Sequence, residues 1–196
     1  SDLVQLTGAL QGIGAEGKRL FRNEGGRLVD VAEPMGVFNP YARTRMPLWL
    51  DLDNDGKLDL LHGAEARFDD QTPPFAFRQA GTGFEPADGT LAFNSRSVPF
   101  CVLTELTGDH RPELVCRLMG QGTAVQVFDL SGAPAQVMAA LPQTAFEDVA
   151  VADFDNDGRL DLFMARKNSP GPVALGRPSD RQVVASVAID AKHADQ

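Results

Sequence analysis

The sequence predicts an all-β chain of repeated four-stranded units, and three features carry that expectation. Two stretches are near copies of one acidic loop, Asp51-Leu-Asp-Asn-Asp-Gly-Lys-Leu-Asp-Leu60 and Asp153-Phe-Asp-Asn-Asp-Gly-Arg-Leu-Asp-Leu162. A decayed third copy, Glu105-Leu-Thr-Gly-Asp-His-Arg-Pro-Glu-Leu114, begins 54 residues after the first and 48 before the last. Short apolar runs bound every copy, and a recurrence near fifty residues points to a solenoid or a propeller.

The acidic loop sets the chemistry. Its carboxylates stand at positions 1, 3, 5 and 9, and the glycine at position 6 permits the turn that gathers them. Hard oxygen donors in this pattern suit calcium. Two carboxylates about 4 Å apart repel by roughly 4 kcal/mol at an effective dielectric near 20, so a cation would relieve the loop. An EF-hand shares the first six positions but needs a glutamate at position 12 and flanking helices. Position 12 is His62 in one copy and Met164 in the other. The flanks, Met46-Pro-Leu-Trp-Leu50 and Leu60-Leu61, then Val149-Ala-Val-Ala152 and Leu162-Phe-Met-Ala165, read as strands. Each loop is therefore expected at the bend of a β-hairpin, which also disfavours a dockerin-type module.

Between the loops lie further strand, turn, strand segments. Leu20-Phe-Arg-Asn-Glu-Gly-Gly-Arg-Leu-Val29 is similar to Ala76-Phe-Arg-Gln-Ala-Gly-Thr-Gly-Phe-Glu85, and Val125-Gln-Val-Phe-Asp-Leu-Ser-Gly132 fills the equivalent slot later. One unit is thus two hairpins, the makeup of a propeller blade. Runs such as Leu48-Trp-Leu50 are apolar on both faces, as in a sheet sandwiched between neighbours. The expected organisation is a single domain over residues 1–196, with a degenerate or partial unit at 1–38 and full units near 46–90, 99–140 and 146–190. Rings of this kind need four to eight blades. The expectation is therefore a partial or open propeller, completed by a degenerate fourth blade, further blades of a longer chain or a partner subunit.

These loops, with the Leu20-Phe-Arg-Asn hairpin before Trp49-Leu-Asp-Leu-Asp-Asn-Asp-Gly56, resemble FG-GAP/VCBS repeat proteins, the group that includes the integrin α-subunit propeller and bacterial secreted members. The resemblance covers about residues 18–190. It implies a β-propeller with calcium in the hairpin loops, usually serving adhesion or recognition of a protein or glycan without catalysis, outside the cytoplasm. Carried over by position, the ligands are Asp51, Asp53, Asp55 and Asp59 by side chain with Lys57 by carbonyl, and Asp153, Asp155, Asp157 and Asp161 with Arg159 by carbonyl. The middle loop departs from the pattern. Thr107 replaces the second acid, His110 the glycine, and Pro112 stiffens the turn, so residues 105–113 are expected to lack metal, with Asp109 pairing with His110 or Arg111. The alternatives are the propeller portion of a larger secreted polysaccharide-active enzyme, or a purely structural ring segment.

Bulk properties narrow the partners. A net charge of −9 argues against nucleic acid, which recruits basic surfaces. No run of eighteen apolar residues marks a membrane span, and no basic segment before an apolar stretch at the start marks a signal peptide, so export would rest on a leader outside this sequence. Cys101 and Cys116 flank the middle loop and should face each other across a hairpin. A disulfide and a pair of small buried side chains both fit that placement. No serine, cysteine or histidine has a nucleophile or general-base setting such as G-x-S-x-G. His62, His110 and His193 read as surface or turn residues, Trp49 as core and Asp69 with Asp70 as a solvated pair. The aromatic and basic connector 35–46 is where a blade would carry a binding loop.

Overall fold

The computed structural model describes residues 3–5, 18–38, 44–64, 76–91, 93, 97–107, 110–119, 123–132, 135–142, 148–154, 156–165, 172–175 and 184–188. They form fifteen strands in four antiparallel sheets, each a meander of consecutive strands. The first sheet holds β1 (Leu3–Gln5), β2 (Arg19–Glu24) and β3 (Arg27–Asp30). The second holds β4 (Thr44–Leu50), β5 (Asp59–Ala64), β6 (Ala76–Ala80) and β7 (Gly83–Pro86). The third holds β8 (Phe100–Thr104), β9 (Glu113–Arg117), β10 (Thr123–Asp129) and β11 (Gln136–Pro142). The fourth holds β12 (Asp148–Ala152), β13 (Asp161–Ala165), β14 (Pro172–Leu175) and β15 (Val184–Ala188). The chain is all-β, with a single 3₁₀ turn at Asp88–Thr90 among the described residues.

The two-faced apolar strands pack as such strands must. Along β5, Leu60 joins Leu20, Val31 and Phe77 between the first and second sheets, while Leu61 turns the other way into a core with Cys101, Leu114 and Phe128 of the third sheet. Successive strand residues point to opposite faces, so each such pair fills two cores. The same step recurs in β9, where Leu114 packs back against the second sheet and Val115 forward with Leu162 of the fourth. Trp49 and Leu50 divide likewise between the two cores that flank the second sheet. Pro47 is tolerated because β4 is an edge strand among the described residues, bonded there to β5 alone.

Backbone contacts lock neighbouring sheets. Ala64 and Val98 exchange both hydrogen bonds at 2.8 Å, which carries the end of β5 against the segment entering β8. Gly63 makes that approach feasible, since a Cβ there would lie 2.5 Å from the Pro99 carbonyl oxygen. The turn after β3 docks on the second sheet, with Phe84 N donating to the Met35 carbonyl at 2.8 Å. Gly36, at φ +77°, passes so close to Phe84 O that a Cβ would meet it at 2.6 Å.

One reading of a single residue changes. His62 is a fully buried residue of β5 instead of a surface or turn residue; its ring stacks on Phe77 with centroids 5.4 Å apart. The fully buried Lys18 places its ammonium 3.9 Å from the centroid of the same Phe77 ring. Met35 lines the first inter-sheet core, so the start of the 35–46 connector is packed, while residues 39–43 of it lie outside the described residues, as do Asp69, Asp70 and His193.

Candidate metal centre

Both acidic loops stand at the bend between the first and second strands of a sheet, residues 51–58 joining β4 to β5 and 153–160 joining β12 to β13. The turn needs left-handed backbone twice in each, at Asn54 (φ 59°) and Gly56 (φ 82°), then at Asn156 (φ 61°) and Gly158 (φ 86°). Asparagine and glycine are the residues that adopt that region at least cost, so the Asn-Asp-Gly sequence writes the bend directly.

The acids organise their own loop. Asp51 accepts the Asp55 amide at 3.1 Å on one oxygen and the Gly56 amide at 2.9 Å on the other. Asp59, fully buried at the start of β5, accepts Leu52 N at 2.8 Å and Gln79 N at 2.7 Å. Burial pushes the Asp59 carboxyl above its ordinary pKa; the two amide bonds oppose the shift, while the charges of Asp53 and Asp55 add to it. Asp51, Asp53 and Asp59 each offer an oxygen within 4.8 Å of the others. At that separation two charges repel by roughly 3.5 kcal/mol at an effective dielectric near 20, less where water reaches Asp53. Arg78 offsets part of this, with its guanidinium 3.8 Å from Asp53.

Asp55 does not join the three. Its carboxylate accepts the Lys57 amide at 2.9 Å and pairs with the Lys57 ammonium, and these contacts hold it below its ordinary pKa. The same contact raises the Lys57 ammonium.

The second loop repeats four of these bonds. Asp153 accepts Asp157 N at 3.1 Å and Gly158 N at 2.8 Å, and Asp161 accepts Phe154 N at 2.8 Å. Asp157 accepts the Arg159 amide at 3.0 Å, with the Arg159 guanidinium 3.8 Å away. Asp155, the counterpart of Asp53, lies outside the described residues.

The middle loop keeps the frame with longer acids. Glu105 accepts the His110 amide at 2.7 Å, and Glu113 accepts Leu106 N at 2.7 Å. His110 carries the left-handed turn, at φ 64°, where the other copies have glycine. The Thr107 hydroxyl donates to Glu113 at 3.0 Å, so a hydrogen bond stands where Asp53 would face Asp59. The expected pairing partner Asp109 lies outside the described residues; the His110 ring instead approaches Glu105 at 4.0 Å. Behind this loop Cys101 and Cys116 stand opposite each other in the β8 to β9 register and form a disulfide, with Cα atoms 4.0 Å apart.

The first loop also touches the neighbouring sheet, since the Asn54 side-chain amide donates to the Leu130 carbonyl at 2.8 Å. Beside that contact opens a cleft of about 600 Å³, walled by Trp49, Leu58, Leu103 and Leu130, with Asp51 and Arg111 on its lining. Sequence reasoning did not single out Arg111 or Leu130 for this place, because only the packing of two sheets brings them beside the loop. Compared with protein-family models and with curated proteins, the chain matches none.

Proposed function

We propose that the protein is a calcium-binding, non-catalytic β-propeller module of the FG-GAP/VCBS type, acting outside the cytoplasm in recognition of a protein or glycan. The observation that carries this reading is the convergence of Asp51, Asp53 and Asp59 on one point, in a loop whose frame recurs at 153–161. The donor set fits a hard divalent cation. Every ligand atom is a carboxylate oxygen, and each such oxygen retains a lone pair beyond the amide bond it accepts. Bound calcium would neutralise the mutual repulsion of the acids and fix the bend.

Fixing the bend matters to the packing, because Asn54 of that loop holds the adjacent sheet through Leu130. Sheets stacked in sequence order, the second and third each packed between two neighbours, support the propeller arrangement. The cleft beside Trp49 supports recognition as the task, an aromatic wall with a nearby cation being suited to a polar ligand with an apolar face. Titration calorimetry with calcium tests the reading, with an expected uptake of two ions per chain. An uptake of none, or equal uptake of magnesium at equal affinity, refutes it. A glycan and peptide screen with and without calcium then tests the recognition role.

A further inference from the structure

Two clefts share one wall. Trp49 and Leu58 line the cleft of about 600 Å³ toward the third sheet, and the same two residues line a second cleft of about 370 Å³ toward the first sheet, completed by Leu20, Arg22 and Gln79. Both volumes fall within the range of roughly 300–1,000 Å³ that holds small ligands. Leu58 is 57% exposed in an otherwise acidic loop, and Trp49 is half-buried, braced by Phe84 with ring centroids 6.0 Å apart. Together they form an apolar ridge with a cleft on each side.

The polar lining selects the ligand. In the larger cleft Asp51 only accepts hydrogen bonds and Arg111 only donates them, so an anion meets repulsion at the first and a cation at the second. Asn54 and Ser131 on the same lining can do both. In the smaller cleft Arg22 is offset by Glu24 at 2.7 Å, and Gln79 brings a neutral amide that also donates and accepts. The net charge of −9 stays negative with two calcium ions bound, which further disfavours an acidic ligand. What matches both clefts is a neutral molecule whose polar groups donate and accept alike and whose body has an apolar face. A pyranose has that makeup, with hydroxyls at its rim and C–H groups on its face to lie against an aromatic wall.

We propose that a neutral oligosaccharide lies across the Trp49–Leu58 ridge with sugar units in both clefts. Arg111 and Ser131 hold hydroxyls on one side, and Arg22 and Gln79 hold them on the other. This names the ligand class for the recognition role proposed above and rests on that role. It stands on the clefts and not on the metal.

Trp49 is the sole tryptophan, so its fluorescence reports on the ridge without a label. Cellohexaose, mannohexaose, xylohexaose and maltohexaose are titrated against the whole chain in calcium, with hexagalacturonate and hexaproline as acidic and peptide probes. At least one neutral hexasaccharide is expected to shift Trp49 emission saturably. Arg111→Ala and Arg22→Ala are each expected to weaken that binding at least fivefold; both side chains are exposed, and an unchanged melting temperature shows that the variants fold. The disaccharide of the same sugar is expected to bind at least tenfold more weakly. A disaccharide that binds as tightly, or a loss on Arg111→Ala without one on Arg22→Ala, overturns the span across the ridge. No response to any of the four neutral probes, or tighter binding of hexagalacturonate or hexaproline, overturns the neutral glycan. Calcium uptake is measured on the same chain: uptake without a sugar response leaves the metal reading standing, and a response to hexaproline alone leaves recognition standing while the glycan falls.

Discussion

Asp53 and Asp59 both face the point where the acids converge, yet their replacement should have different signatures. Asp59 holds the fold: its two oxygens satisfy Leu52 N and Gln79 N in a fully buried position. Truncating it to alanine leaves one buried and one part-buried amide without an acceptor, at about 1–3 kcal/mol each, so Asp59→Ala should lose about 2–6 kcal/mol in chelator and the calcium increment of its own site besides. Asp53 holds little by itself. It shares the Asp55 amide, at 3.3 Å, with Asp51, and its ion pair with Arg78 is 3.8 Å long. In chelator, Asp53→Ala should be neutral or slightly stabilising, because it removes repulsion from its two neighbours. With calcium at a hundredfold over its dissociation constant, each site adds about 2.7 kcal/mol, and in a chain of this size that is roughly 5–11 °C of melting temperature. Differential scanning calorimetry with calcium and with chelator should therefore show Asp53→Ala losing one of two increments, and Asp53→Ala with Asp155→Ala losing both. An identical melting temperature for the parent chain in calcium and chelator would refute the reasoning. So would a full calcium shift retained by the double variant.

Three further outcomes follow from single contacts. Gly63→Ala must push backbone apart, because the new Cβ would lie 2.5 Å from Pro99 O and 2.8 Å from Val98 O; the expected cost is about 1–3 kcal/mol by denaturant unfolding. His110→Gly removes a side chain from a left-handed position at φ 64° and should stabilise by up to about 1 kcal/mol in the same assay. Asp30 accepts the Ala32 amide at 3.1 Å and pairs with Arg19, which together hold its carboxyl below its ordinary pKa. A depressed folded-state pKa stabilises above the unfolded value and is lost as pH falls through the folded one. Asp30→Ala should thus cost no more than about 0.5 kcal/mol at neutral pH, the side chains being part exposed, and nothing in strong acid.

Much of the site was legible because its signals are local. Asn-Asp-Gly demands the left-handed bend, and the apolar runs on each side alternate between two cores, so Leu60 and Leu61 could be assigned to strand from sequence. The diversion of Asp55 was not read from the sequence, where its position marks it as a ligand; Lys57, two residues on, takes up its carboxylate instead. What sequence could not give is set by distant chain. His62 and Lys18 are buried because both meet Phe77, and nothing in their neighbours announces that contact. The hydroxyl of Thr107 reads as a lost ligand until the fold places it against Glu113.

That hydroxyl points to a division of labour among the three hairpins. The outer two carry four acids each over nine residues, whereas 105–113 keeps three, with Thr107 in place of the fourth, and adds contacts needing no ion: the Thr107 bond to Glu113 and the disulfide between the paired strands. A cross-link between residues 15 apart restricts the unfolded chain by about 3 kcal/mol on the loop-entropy account, similar in size to one calcium site at the concentration considered above. Reduction and chelation should consequently destabilise separate hairpins, and distant, independent perturbations add. Melting should fall by similar amounts with reductant or with loss of one calcium site, and the combined drop should equal the sum. Cys101→Ser with Cys116→Ser should remove the reductant effect and leave the calcium effect intact. A reductant effect that disappears whenever calcium is present would mean that the middle hairpin depends on the metal loops, and the proposed exchange of one brace for another would be mistaken.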